Sequence, residues 1–563
     1  MQNQRLFAWA LFGLLMLMTW QQWQQDYAPR PAPTAETTPV NAEDTTTTSP
    51  LDLPPPVPTE TGAADATPDA GLATPQVAAL DNENRQLITV ATDVLELQID
   101  LVGGDIVSAK LPACPIDKDS PDVPVALLST DPVDFAVFRT GLTTRNKQDE
   151  PNHQARFATG ADQFELSGSD DTLRVPLTWT GAGGIQVTKT FVFRRGAYAV
   201  EVLYEINNGS GEAWDAAPYA RIVHIAKAPD RSLFDVESYS FNGPVTFDGN
   251  EYEKHSIKDL GKSSFMAEEV QGGWVAAIEH HFLSAIVPPA EATVRIDAAQ
   301  SGNQFLAGYV GQPIRVEPGA QTTVGFDLFV GPKLQDQLRS VSDRLPLTVD
   351  YGMLTLLSDP LFWLLSKVHS FVGNWGWAIV IVTLLIKLVF YKLTEQSGRS
   401  MAKMRKLQPR LKALQERYKD DRQKLSEAMM EMYKREKVNP AAGCLPILVQ
   451  MPFFLAFYWV LLESVEMRQA PFMLWINDLS SRDPLFILPL LMGAAMLAQQ
   501  QLNPAPADPV QAKVMKILPV VFCVMFAFFP AGLVLYWFTN TILGVAQQWQ
   551  INRVVAAEDQ KRD

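Results

Sequence analysis

Apolar and polar residues alternate along the chain in three different rhythms, and each rhythm predicts a different kind of structure. The first segment, MQNQRLFAWALFGLLMLMTWQQWQQDY, is apolar from Leu6 to about Trp23 after one early Arg. A cleaved signal places small residues of the A-x-A type after such a core, but QQWQQ follows here. The expectation is therefore an uncleaved anchor helix over 1–24, with Trp20 and Trp23 at the membrane interface. Residues 25–84, including PVNAEDTTTTSPLDLPPPVPTETG, are too rich in Pro, Thr, Ala and acidic residues to bury a core and read as a disordered or extended tether. From 85 to 345 the rhythm has period two. VLELQIDLVGGDIVSAKL and TWTGAGGIQVTKTFVFRRGAYAVEVLYEINN alternate Val, Ile, Phe and Tyr with polar residues, and turn signals recur every few residues. That pattern predicts a large β-sandwich.

The third rhythm is helical. Leu354, Leu357, Leu361, Leu364, Leu365 and Val368 recur at helical spacing together with Asp359, Lys367 and His369, which predicts an amphipathic helix over 350–372 lying in the membrane interface. Five apolar runs follow, at 374–396, 442–463, 485–501, 514–530 and 533–550. With the anchor they give six predicted spans. Between the first two runs, Met404, Leu407, Leu411, Leu414 and Tyr418 form a narrow seam, repeated after a KDD turn by Leu425, Met429 and Met432. The economical reading is a coiled-coil hairpin over 398–438, its second helix capped by Asp420 or Asp421 and stopped at Asn439-Pro440. A short tail, 551–563, ends the chain. The predicted fold class is a polytopic α-helical membrane protein with six transmembrane helices, a large β-sandwich domain outside and a helical hairpin inside.

Charge orients this arrangement. The chain has a formal net charge of −15, yet 392–440 holds 14 Lys/Arg against 7 Asp/Glu, leaving −22 for the rest. The basic stretch belongs in the cytoplasm by the positive-inside rule. Six spans then place both termini in the cytoplasm and 25–350 outside. The hairpin's basic residues, among them Arg399, Lys403, Arg405, Lys406, Arg410 and Lys412, suit either anionic lipid or a docking arm for a ribosome or nascent chain. Cys114, Cys444 and Cys523 are too scattered for a disulfide framework. Enzyme motifs are missing: Gly261-Lys262-Ser263 lacks the phosphate-loop glycine because Ser256 stands in its place, and there is no GxSxG or HExxH. Glu279-His280-His281 has too few companions for a zinc site and reads as surface or strand histidines. No cofactor, metal or specific nucleic-acid sequence is expected.

Lys387 is the candidate chemistry. It sits inside the apolar run IVTLLIKLVFYKLT, where a lysine costs about 2.5–3.5 kcal/mol on insertion scales. Thr383, Lys387 and Tyr391 share a helix face at i, i+4 and i+8. Two readings stand at this point. The ammonium snorkels to the cytoplasmic boundary at Lys392, about 7.5 Å of helix rise away. Alternatively, it lines a hydrated cavity with polar groups from other spans, for which Gln450, Gln499, Gln500, Thr539 and Asn540 are candidates. A buried salt bridge is disfavoured, because no Asp or Glu lies deep in another span and Glu463 is near the opposite surface.

Taken in order, MAKMRKLQP, NPAAGCLPILVQMPFFLAFYWVL, VEMRQAPFMLWINDLS, DPLFILPLLMG and FPAGLVLYWFTN resemble the YidC membrane-protein insertase family of Gram-negative inner membranes. The resemblance is strong over 351–550, and the preceding anchor, tether and β-domain match the long form of that family. It implies a water-accessible groove open to cytoplasm and lipid and closed toward the periplasm, with a basic residue at the position of Lys387. That residue is usually Arg; Lys keeps the charge and loses the planar fork. By the same resemblance Thr383, Tyr536 and Trp537 lie where substrate is contacted; Gln450 and Asn540, from the polar candidates in the other spans, complete the expected groove. The implied partners are nascent membrane proteins, the Sec translocon, ribosome–nascent chain complexes and the phospholipid bilayer. The implied β-domain is a super-sandwich like that of sugar mutarotases, a likeness that does not confer sugar chemistry. The short, near-neutral tail departs from the family's basic tail and weakens the expectation of ribosome contact there. The alternatives are a Sec-associated folding chaperone without insertion activity of its own, a secondary transporter and a membrane-anchored carbohydrate enzyme. A transporter calls for internal repeats or paired acidic groups, and neither is present.

Overall fold

The computed structural model describes residues 86–144, 149–226, 240–418, 421–436, 445–502 and 509–560. The expected anchor, the tether and the last residues of the tail lie outside the described residues, as do Cys444 and the Asn439-Pro440 stop.

Residues 87–332 form two packed, almost wholly antiparallel sheets. Among the described residues the larger has eleven strands. Its path runs from Phe265–Gln271 through Thr293–Ser301, Gln304–Gly311, Trp214–Ile225 and Ala136–Thr144 to Asp105–Asp117 and the N-terminal hairpin. The smaller has eight strands and runs from Tyr252–Lys254 through Phe282–Val287 and Gln321–Pro332 to Thr172–Thr180. Period two is explicit in Thr172–Thr180, where Val175, Leu177 and Trp179 are buried and Arg174, Pro176 and Thr178 are exposed. Phe138, Phe191, Phe193, Tyr204, Trp274 and Phe329 fill the space between the sheets. Lys189 breaks that apolar rule. It is fully buried and donates to the carbonyls of Gly103 and Gly104 and to Thr140 Oγ1, so its charge is solvated by the protein itself.

From Thr355 onward, eight α-helices follow among the described residues. They are α1 (Thr355–Val372), α2 (Trp375–Val389), α3 (Tyr391–Arg417), α4 (Arg422–Arg435), α5 (Leu445–Glu463), α6 (Ile487–Leu502), α7 (Pro509–Phe526) and α8 (Ala531–Gln560). Helix α8 packs against α2, α3, α5 and α6 and is the axis of the bundle. Among the described residues no single helix is both long and apolar enough to cross a bilayer. The α2–α3 pair, bent by 67°, meets that test together. Here the sequence expectation is corrected: the run 374–396 is broken at Phe390, and α3 then continues without interruption through the basic stretch to Arg417. Asp421 caps α4, accepting from the Lys424 N–H, and Leu407, Leu411, Leu425 and Met432 are buried as the seam required.

Sandwich and bundle share one continuous apolar core, which passes through Leu338, Leu345, Val349 and Tyr351 to Leu361, Phe362 and Leu365. Polar bonds surround it. Lys333, buried at the end of the last long strand, meets Glu463 at 3.4 Å and the Thr348 carbonyl at 3.3 Å. Ser240 donates to the other oxygen of Glu463, and the imidazoles of His280 and His281 face the Leu462 carbonyl. Arg468 donates to the carbonyls of Pro115 and Ile116, and Gln469 to Pro115. Glu279-His280-His281 is therefore a structural triplet: Glu279 holds His224 at 2.6 Å, and the two following histidines stack on each other at the junction.

Candidate functional site: a lysine between three helices

One end of the bundle is closed. Asn374 caps α2, accepting from the Trp377 N–H, and its amide donates to the carbonyls of Pro471 and Phe472. Gly376 leaves room for the Phe472 ring, which a Cβ would strike. The α8 end is pinned in the same way, by N–H bonds from Ala531 to Ser481 and from Gly532 to Leu479. The 464–486 loop thus plugs the bundle from one side.

Burial along α2 changes with distance from that plug. Ala378, Ile379, Val382 and Thr383 are buried, whereas Leu384, Leu385, Leu388 and Val389 are uncovered by protein. Lys387 lies in the second stretch, about 18 Å of helix rise from Trp375, and is half-buried. Its ammonium points into the seam between α2, α6 and α8. A Cβ added to Gly544 would lie 3.5 Å from Lys387 Nζ and 3.2 Å from Gln499 Nε2. Among the described residues no carboxylate pairs with Lys387 and no acceptor hydrogen-bonds it. A cation here, with no partner among the described residues, calls for water or a passing ligand.

The structure brings some expected residues together and separates others. Thr383 is one turn before Lys387, and its hydroxyl donates to its own Ile379 carbonyl at 2.7 Å. Tyr536, Asn540 and Gly544 share one face of α8 at i, i+4 and i+8, so Asn540 stands one turn from the lysine pocket. Tyr536 is buried and stacked on Phe457, while Trp537 packs edge-on to Phe454 and near Phe522 and Phe526. Both therefore belong to an aromatic seam joining α5, α7 and α8. Gln450 is half-buried on α5 and has no hydrogen bond to Lys387. Gln499, on α6, borders the same space beside Gly544 as the lysine. Gly544 was not foreseen; a glycine inside a helical apolar run was its only signal. Of the basic hairpin residues, Arg399 pairs with Glu395 and Arg410 with Glu436, whereas Lys403, Arg405 and Lys406 are exposed. The Lys412 side chain lies outside the described residues.

Beyond Tyr391 the α3–α8 contact holds a small cavity lined by Tyr391, Glu395, Arg399, Gln550, Ile551 and Val554. Gln547 donates to the Tyr391 carbonyl at its edge.

An antiparallel sandwich joined to an apolar helical bundle, with a lone cation in the bundle's seam, defines a class of membrane proteins that carry a large folded domain. Residues 367–559 match the family described as 60Kd inner membrane protein, and 87–364 match the YidC periplasmic domain. A membrane protein insertase YidC of Thioalkalivibrio sulfidiphilus is 45% identical over 100% of both chains. One of Nitrosococcus oceani is 44% identical over 99% of this chain and 100% of its own. The chain belongs to the YidC family of membrane protein insertases. Among solved structures, a crystal structure of an active YidC insertase matches with a TM-score of 0.37 and 19% identity, covering 82% of this chain and 92% of that one.

Proposed function

We propose that this inner-membrane insertase moves nascent transmembrane segments from the cytoplasm into the bilayer along the seam that holds Lys387. The observation that carries this reading is the ammonium between α2, α6 and α8, without a counter-charge among the described residues and beyond the plugged end of the bundle. An apolar segment with a short polar or acidic flank enters from the cytoplasmic side. Lys387 and its water keep the flank solvated part of the way across, while the apolar part meets lipid along the uncovered Leu384–Val389 end of α2. At 4 Å and an effective dielectric constant of about 20, one carboxylate gains about 4 kcal/mol from the lysine. That matches the cost of placing a charged residue at mid-membrane. Transfer of the apolar segment into lipid supplies the driving force, and no covalent step is required.

In this reading the chain spans the membrane six times, with both termini in the cytoplasm and 25–350 in the periplasm. The α2–α3 pair supplies the second span, and α1 lies in the interface, its Leu356, Trp363 and Phe371 uncovered by protein. Thr383, Gln450, Tyr536, Trp537 and Asn540 border the path. Arg399, Lys403, Arg405, Lys406, Arg410 and Lys412 form the docking face for ribosome–nascent chain complexes, and the Sec translocon is a second partner. A photocrosslinking residue in place of Gln499 tests the path. Stalled nascent membrane proteins should form adducts there and not from a probe at Arg174 on the sandwich; equal adducts from both positions would contradict the route.

A further inference from the structure

The outer face of the eleven-stranded sheet carries a concentration of guanidinium groups that insertion does not use. Register places them. Arg221 lies directly opposite Arg139 on one neighbouring strand and opposite Gly308 on the other, and Gly308 is opposite Asp297. Directly opposed residues in antiparallel strands point to the same side, so Arg139, Arg221 and Asp297 form one row across four strands. Two residues along, Gly141, Tyr219, Val310 and Arg295 form the adjacent row on the same face. Phe138 and Ile222, of opposite parity, point into the core between the sheets.

One of the three arginines is satisfied. Arg221 donates to both oxygens of Asp297, at 3.2 and 3.0 Å, reaching across the strip that Gly308 leaves bare. A Cβ at Gly308 would lie 2.5 Å from the Ala220 carbonyl oxygen and 3.1 Å from Arg221 Cβ, so the gap is closed to other side chains. Arg139 has no hydrogen bond or ion pair among the described residues. Arg295 has its Nε and Nη2 buried without an acceptor; Glu268 and Glu269, across the bulge in the edge strand, are exposed and make no ion pair with it. Buried guanidinium N–H groups without acceptors are costly and rare. His153 completes the cluster with its ring nitrogen on Tyr219 Oη at 2.7 Å. Burial first, then the positive field of Arg139, Arg221 and Lys189, holds that imidazole neutral, with a pKa down to about 4. It therefore adds a hydrogen-bonding group and no further charge. Val137, Val223 and Leu306 border the cluster on one side, and Ala217 and Val310 on the other.

We propose that this face is a binding site for a small oxyanion-bearing ligand, a carboxylate or phosphate, held by Arg139 and Arg295 on either side of the Arg221–Asp297 pair. The Asp297 carboxylate already accepts from Arg221 Nη2 with both of its oxygens, and the outer two guanidinium groups, without acceptors among the described residues, are the donors for a second anion. The site lies in the sandwich and is independent of the lysine seam.

Isothermal titration of the full chain in detergent, with glutarate and inorganic phosphate in separate runs, tests it. One-site binding of either probe, weakened at least about tenfold by Arg139→Gln and by Arg295→Gln but not by Arg174→Gln, supports the site. The probe that binds identifies the carboxylate or phosphate source. Unchanged thermal unfolding of the variants separates lost binding from lost fold. Absence of binding by both probes, or equal binding by wild type and both variants (an adventitious ion only), would overturn the proposal.

Discussion

Lys387 and Gly544 adjoin in the seam between α2 and α8, and the proposed route uses one for its charge and the other for the space around it. Gly544→Leu places a branched side chain in the space that the Lys387 ammonium and the Gln499 amide both border. Insertion of an acidic-tailed substrate should fall several-fold while the purified variant keeps its thermal unfolding profile; unaltered insertion would mean that the space is not used. At the junction, Glu466 supplies a pH dependence. Burial first, and then Asp336, push its carboxyl up to about 7, against backbone hydrogen bonds from Glu466 itself and from Gln335 and the charge of Lys333. A carboxyl whose pKa is raised on folding binds its proton more tightly in the docked state than in the free one. Its contribution is therefore full below the ordinary carboxylate range and is lost as pH rises through about 7. Hydrogen exchange of the 464–486 loop should accelerate from pH 5 to pH 8 beyond the intrinsic rate change, and Glu466→Gln should flatten that excess. At this scale Lys387 was legible, because a charge in an apolar run stands out against its neighbours. The guanidinium cluster was not, since Arg139, Arg221 and Arg295 are far apart in sequence and only strand register brings them to one face.

Among the elements, the strand ending at Pro332 and helix α5 meet through the Lys333–Glu463 pair. Lys333→Met leaves the Glu463 carboxylate buried with only Ser240, which should cost about 3–5 kcal/mol of docking stability. Limited proteolysis between sandwich and bundle reads that loss. Lys333→Met with Glu463→Leu should recover most of it, and an unrecovered double variant would show that packing rather than charge decides. The elements themselves were largely readable. Period-two alternation marked the sandwich, and the apolar runs at 442–463, 485–501 and 533–550 correspond to α5, α6 and α8. Two boundaries escaped. Phe390 has neither Pro nor Gly beside it to announce the α2–α3 break, which tertiary packing imposes. Helix α8 runs on to Gln560 because nothing in QWQINRVVAAEDQ breaks a helix.

For the whole molecule, the charge asymmetry makes a topological prediction. In a chain whose native cysteines are replaced by serine, a cysteine at Glu416 should react with an impermeant maleimide only from the cytoplasmic side, and one at Asp170 only from the periplasmic side. The opposite labelling would invert the arrangement. The plug formed by 464–486, and the sandwich bonded onto it, then lie at the far end of the seam from the hairpin. A cation open to one compartment and sealed from the other can lower the barrier to a polar flank without opening a leak. The most direct measurement is insertion of a single-span substrate with a short acidic tail into liposomes, read by protection of the tail from external protease, for wild type, Lys387→Arg and Lys387→Ala. Insertion by wild type and Lys387→Arg, with Lys387→Ala reduced at least about tenfold, equivalent to about 1.4 kcal/mol of barrier, is the predicted result. Equal insertion by all three would contradict the claim that the charge in the seam does the work.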